Sequence, residues 1–245
     1  MTAPSAIPAA ARAELAPHGT LRVGLNYGNF LLVLKDAPDG TPRGIAPDLG
    51  RALGSRLGVP VKFVKFAQAG QLADAVRDGK CDVGFLGAEP QRAADIAFTK
   101  AYLEIPVTFL VPAGSPIRSI ADVDREGVRI AVSARSAYDL YLSRTLKHAK
   151  LVRAEGIDAS CELFLKETLE ALAGLKPRLV SDAEKLPGSR VLEGQVSSVQ
   201  QAAGTAKART AGARYLSEFI EDIKRSGLVA STIEKHGVKG VSVVP

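Results

Sequence analysis

A short apolar run at residues 81–86 stops at Gly87 and restarts at Pro90 as a helix, and this segment constrains the chain more than any other. Pro90 fits a first helical turn, where no backbone N–H is needed. A buried strand that feeds a helix through a small-residue loop is where open α/β sheets place their ligands. Arg92 falls about one turn into that helix, within reach of the cleft beyond the strand end. A guanidinium held there suits a carboxylate, to which it can donate two parallel hydrogen bonds. The expectation is a loop and an arginine that clamp the acid group of a small molecule.

Read in order, the chain repeats this alternation. After a flexible start, residues 21–25 read as a first strand, followed by a loop through Asn26, Tyr27, Gly28, Asn29 and Phe30. Leu49, Ala52, Leu53 and Leu57 then recur at helical spacing until Gly58 and Pro60 stop the pattern. Residues 61–66 are a β-rich strand, and Leu72, Ala75 and Val76 give a short helix that ends at Gly79. Strand, helix, strand, helix, strand at these separations argues for a parallel sheet with right-handed crossovers.

A further strand spans residues 105–111 and runs into the Pro/Gly-rich segment 112–116, which reads as a boundary. Beyond it the rhythm restarts with a buried strand at 128–132. Ser136 and Asp139 have the spacing of a helix start, and Tyr138, Leu142 and Leu146 mark one face of that helix. A strand is expected from residue 151, a helix at 161–166, an apolar strand at 169–175 and a shorter one at 190–192. Residues 196–203 read as a strand leading back to the first half. Leu216, Phe219, Ile220 and Ile223 fall on one face of an amphipathic helix, after which a short helix and a loose tail are expected. Two βα units joined around residues 112 and 196 imply two lobes with a cleft between them.

The 245-residue length allows one large α/β domain or two lobes of ordinary size. With no Trp, five Tyr and eight Phe, the chain has too few rings for a single-strand stacking platform. The net charge of +6 is spread along the chain without a dense cluster, so the reading is a generally basic surface and no nucleic-acid partner. Cys81 and Cys161 have no second Cys or His at ligand spacing and read as buried free thiols. His18, His148 and His236 are scattered, so neither a metal nor a cofactor is expected. The first twenty residues carry no apolar core of signal-peptide length, and no run approaches the roughly 18 apolar residues of a membrane span. The expectation is no membrane insertion and a cytoplasmic chain, or a periplasmic one if a signal peptide has been removed.

Several short motifs occur in a telling order: Leu21-Arg22-Val23-Gly24, residues 44–49, Asp82-Val83-Gly84, and the segment from Arg92 to Thr99. Tyr102, residues 128–136 and the C-terminal helix complete the set. Over about residues 20–236 the chain resembles bacterial solute-binding proteins of the polar amino-acid type, family 3, which serve ABC importers. The resemblance implies a periplasmic-binding-protein-like type II fold. Two α/β lobes, each a mixed, mainly parallel sheet flanked by helices, would be joined by two hinge crossings. It places residues 1–19 outside the lobes, 20–111 plus 197–245 in the first lobe, and 112–196 in the second. It further implies that Arg92 holds a ligand α-carboxylate, with the helix start at Ser136 and Ala137 offering hydroxyl and N–H groups to the same anion. A helix N-terminus favours an anion on physical grounds as well. Tyr27 and Phe30 lie where such proteins often supply a ring against the ligand.

The departures from that pattern matter more. Relatives that bind amino acids usually place one Asp after the first strand and another at the end of the strand near 169–175. The matching positions here are Asn26 and Leu175. Gly87 and Glu89 replace the usual small hydroxyl residues before the arginine, and Arg135 replaces a Gly before Ser136. A buried ammonium without a carboxylate partner is costly. The expected ligand is therefore a carboxylate or other small anion, unless Glu89 turns inward to meet an amine.

The function expected is capture of a small carboxylate-bearing polar molecule (amino acid, amino-acid derivative or organic acid) by a monomer that hands it to an ABC permease. A cytosolic ligand sensor or scavenger is the alternative. A cyclohexadienyl-dehydratase-like lyase on the same fold would need a carboxyl proton donor in the cleft. Glu89 and Glu104 are the acids placed near it, and neither joins a His, a Cys or a metal ligand. No G-x-S-x-G, P-loop or dinucleotide motif occurs in its required context, so no enzyme is expected.

Overall fold

Strands covered on both faces have no polar side to show, which is why the short apolar runs of this chain become the centre of its sheet. The computed structural model describes residues 8–245. The chain enters through α1 (Ala9–Leu15) and β1 (Leu21–Asn26), then continues through α2 (Ile45–Leu57), β2 (Val61–Phe66), α3 (Ala69–Arg77) and the fully buried β3 (Val83–Gly87). β1 pairs in parallel with both β2 and β3, as right-handed βα crossovers require. The single turn α4 (Pro90–Ala93) leads to β4 (Ile96–Phe98) and the long β5 (Leu103–Val111).

The second half holds β6 (Arg129–Ser133), α5 (Ala137–Thr145), β7 (Lys150–Ala154), α6 (Ile157–Lys166), β8 (Ala171–Leu175), α7 (Lys176–Ala183) and β9 (Arg190–Val191). The chain returns along β10 (Ser197–Ala206) and closes with α8 (Thr210–Arg225), α9 (Leu228–Lys235) and β11 (Ser242–Val243). The strand order is β2-β1-β3-β10-β5-β8-β6-β7, so β10 and β5 sit between two mainly parallel sets. β5 pairs with β10 up to Val107, and from there with β8 and β9. These two antiparallel strands are the crossings between the halves, and the fold is the expected two-lobed, mixed α/β arrangement. Asp82 locks the first half: fully buried, it accepts from the backbone and guanidinium of Arg22 and from Nη1 of Arg209 at the start of α8.

Three expectations change. Residues 9–15 form a helix where a flexible start was expected; residues 1–7 lie outside the described part. Ala is the strongest helix former, and the i,i+4 pair Ala11 and Leu15 is buried. Glu14 accepts a 2.7 Å hydrogen bond from the Gly212 amide, tying α1 to α8. The expected loose tail pairs Ser242 and Val243 with Glu104 and Leu103 of β5. α7 follows β8 directly, with Pro177 in its first turn, a helix too short and too polar for its apolar period to stand out.

Candidate functional site

β3 ends at Gly87, and Arg92 follows within α4 at 7% exposure. Its Nη1 donates to the Gly87 carbonyl and its Nη2 to the Arg135 carbonyl of the other lobe, each at 2.8 Å. One guanidinium thus touches both lobes through neutral acceptors. It has no ion-pair partner among the described residues. Removal from water pushes its pKa down to about 10, with the charge of nearby Glu89 opposing the shift. It remains a cation at neutral pH.

The opposite wall is the start of α5. Ser136 caps the helix, its Oγ accepting from the Asp139 amide at 3.1 Å, so the plain capping role is present. The amides of Ala137 and Tyr138, in the first turn, have no acceptor within the helix. Gly87 lets this end approach: a Cβ there would stand 2.8 Å from Val199 Cγ1 and 3.0 Å from Ala137 Cβ. The two lobes touch across a glycine.

Between these walls is a cavity of about 50 Å³. Asn26, Gly87, Arg92, Ser136 and Ala137 line it, together with Leu175, Phe85 and Val199. Asn26 also accepts from the Gly28 amide at 3.1 Å, which holds the loop after β1. Among the described residues, no Asp or Glu lines this cavity.

Four expected site residues lie elsewhere. Glu89 is buried but faces α5, where its Oε2 lies 2.9 Å from Arg144 Nη2. That contact is close enough for an ion pair, although its angle is poor for a hydrogen bond, and it draws the carboxylate away from the cavity. Arg135 turns to α3, where Nη1 and Nη2 meet the two oxygens of Asp74 at 2.8 Å. Gly70 makes room for it, since a Cβ there would come within 2.9 Å of Arg135 Cβ. Arg135 itself sits at φ 57°, held by its amide donating to Asp139 Oδ2 at 2.8 Å. Tyr27 and the exposed Phe30 line the outer mouth of the cleft, beside Arg178 and Lys185, and not the inner cavity. The Tyr27 hydroxyl is engaged by Asp36, to which it donates at 2.7 Å.

Sequence reasoning missed Tyr138, Gln68 and Gln201, which all line the cavity. Burial pushes the Tyr138 phenol up to about 12, so it stays a neutral hydroxyl. Gln201 shares a face of β10 with Val199, two residues before it. A polar side chain on an apolar face of a strand was the signal that could have found it.

Residues 21–239 match the family model of bacterial extracellular solute-binding proteins, family 3. Among solved structures, a variant of ArgBP from T. maritima is similar at 25% identity over 92% of this chain and 98% of that one, with a TM-score of 0.74. The solute receptor for L-cysteine of Neisseria gonorrhoeae shares the fold at 21% identity, over 94% and 95% of the two chains, with a TM-score of 0.78. So does AncCDT-1, an ancestral amino acid-binding protein and precursor of cyclohexadienyl dehydratase, at 22% identity, 91% and 97% coverage and a TM-score of 0.74.

Proposed function

The chain belongs to the bacterial extracellular solute-binding proteins, family 3, and from that premise we propose that it grips a small carboxylate between its lobes and presents it to an ABC permease. The observation that carries this reading is Arg92, buried, cationic, bonded to a carbonyl of each lobe, and without a counter-ion among the described residues. A buried charge left unpaired is expensive, and a carboxylate supplies both the opposite charge and two acceptors. The free amides at the start of α5 supply a second contact from the other lobe. Ligand and lobe closure are then one event, because the same anion is held from both sides.

In this reading residues 20–111 with 197–245 move as one lobe and 112–196 as the other, hinged where β5 and β10 cross. The chain works on the periplasmic side, as a monomer. The lyase alternative needs a carboxyl proton donor in the cleft. Glu89 is drawn to Arg144, and Glu104 accepts from Ser198 at 3.1 Å and Gln200 at 2.9 Å, which favours binding over catalysis. Calorimetry over amino acids, organic acids and inorganic anions tests the proposal. A carboxylate that binds wild type and is lost in Arg92→Ala is expected; binding of every carboxylate within about twofold of wild type in that variant would exclude the clamp.

A further inference from the structure

We infer that the cavity selects a small monocarboxylate whose second polar group is uncharged, a hydroxyl where an α-amino acid carries its ammonium, and that Gln201 reads that group. The inference rests on the carboxylate reading above and adds what the rest of the ligand must be.

The first support is the charge of the lining. Arg92 is the charged side chain among the described residues that line the inner cavity. A monoanion neutralises it, whereas a zwitterion brings in an ammonium that meets no acid. Three carboxylates around the cavity are already engaged. Asp74 is held by Arg135, Glu89 by Arg144, and Asp139 by Arg153 at 2.9 Å. Asp158 lies in the outer mouth, paired with Arg178, and Glu155 lines that mouth as well. Drawing any of the paired acids inward breaks an existing ion pair, and moving an ammonium in without one leaves it desolvated.

The second support is independent of charge. Gln201 lines the cavity at 4% exposure, and its Oε1 is enclosed without a hydrogen-bond partner among the described residues. Its main chain is paired with Gly87 on one side and Leu103 on the other, which fixes the face of the strand that carries the side chain towards the cavity. The unmet atom is an acceptor, so it takes a donor from the ligand, and a hydroxyl supplies one without adding charge. Leaving it unmet in a closed cleft is costly, and a ligand hydroxyl donating at that place removes the cost. Leu175, at the end of β8, presents an apolar wall beside it.

The test is calorimetry of the full chain against L-amino acids, each paired with the 2-hydroxy acid of the same side chain. The best hydroxy acid is expected to bind at least about tenfold tighter than its amino-acid partner, and Gln201→Met to remove about tenfold of that affinity. Gln201→Glu is expected to move the preference towards the amino acid. An amino acid that binds as tightly as its hydroxy-acid partner overturns the inference, and if Arg92→Ala still abolishes that binding, the carboxylate clamp stands without it. If no member of the panel binds, or Arg92→Ala leaves binding unchanged, both readings fall. Melting temperatures without ligand establish that the variants fold; should Gln201→Met not fold, the wild-type pairs decide the question.

Discussion

Arg135 in the second lobe donates to both carboxylate oxygens of Asp74 in the first, at 2.8 Å each, and so bridges the lobes beside the cleft. It is a latch, and an exposed one. The pair sits in solvent, with Arg135 56% and Asp74 33% accessible along their side chains. Such pairs contribute about 0.2–1 kcal/mol and are screened by salt. Asp74→Asn is therefore expected to weaken ligand binding by no more than about fivefold, and the loss should vanish near 1 M salt. Calorimetry at two ionic strengths checks this; a tenfold loss that persists at high salt would mean the pair does more than latch.

The same pair predicts a pH dependence of closure. The Arg135 guanidinium, first among several causes, holds the Asp74 carboxyl below its ordinary range, with Arg77 on the same helix helping. A depressed carboxylate contributes above its ordinary pKa and loses that contribution as pH falls through the lowered value. The ligand-free closed fraction, followed by a distance probe between the lobes, should be flat in this respect near neutrality and decline in the acid range below about pH 4. Asp74→Asn should lack that part of the decline.

Arg92→Lys keeps a positive charge but not the fork that reaches Gly87 and Arg135 together. A cost of about 1.5–3 kcal/mol in affinity is expected, from hydrogen bonds to a charged group. Wild-type affinity in this variant would show that charge alone is enough.

Gly87→Ala places a methyl group against Val199 and Ala137, across the lobe contact. Overpacking of this kind costs about 1–3 kcal/mol. Part falls on β10 within the sheet and part on closure, so ligand affinity and the ligand-free melting temperature should both drop. Unchanged affinity would show that the lobes need not approach this closely.

Cys81 is fully buried, and desolvation pushes its thiol up to about 11. The thiolate is the reactive form, so native protein at pH 8 should label slowly at Cys81, while the partly exposed Cys161, also shifted upward, labels first. Mass spectrometry after brief alkylation distinguishes the two.

How much of this was written in the chain depends on the range of the interaction. β1, β3 and β8 follow from short apolar runs, β2 from its β-branched and aromatic residues, and α2 and α8 from apolar residues at helical spacing, because these patterns report a local steric choice. α1 and α7 were harder, since Ala- and charge-rich helices of this length take their stability from what they dock on. Arg92 and Ser136 could be placed in sequence because each sits at a strand-to-helix junction, where the backbone aims the group into the cleft.

Arg135 and Glu89 could not be placed that way. Both are long side chains with many rotamers, and which acid or base they meet is decided by lobes brought together from distant parts of the chain. Gln201 reaches the cavity because β10 is threaded between β3 and β5, pairing residues 90 to 120 positions apart. By itself the sequence determined most of the elements, their order, the arginine at the strand end and the absence of the usual acids at Asn26 and Leu175. Only the tertiary structure decided which polar groups are spent on holding the lobes and which are left for a ligand, because that division depends on distances no local pattern encodes.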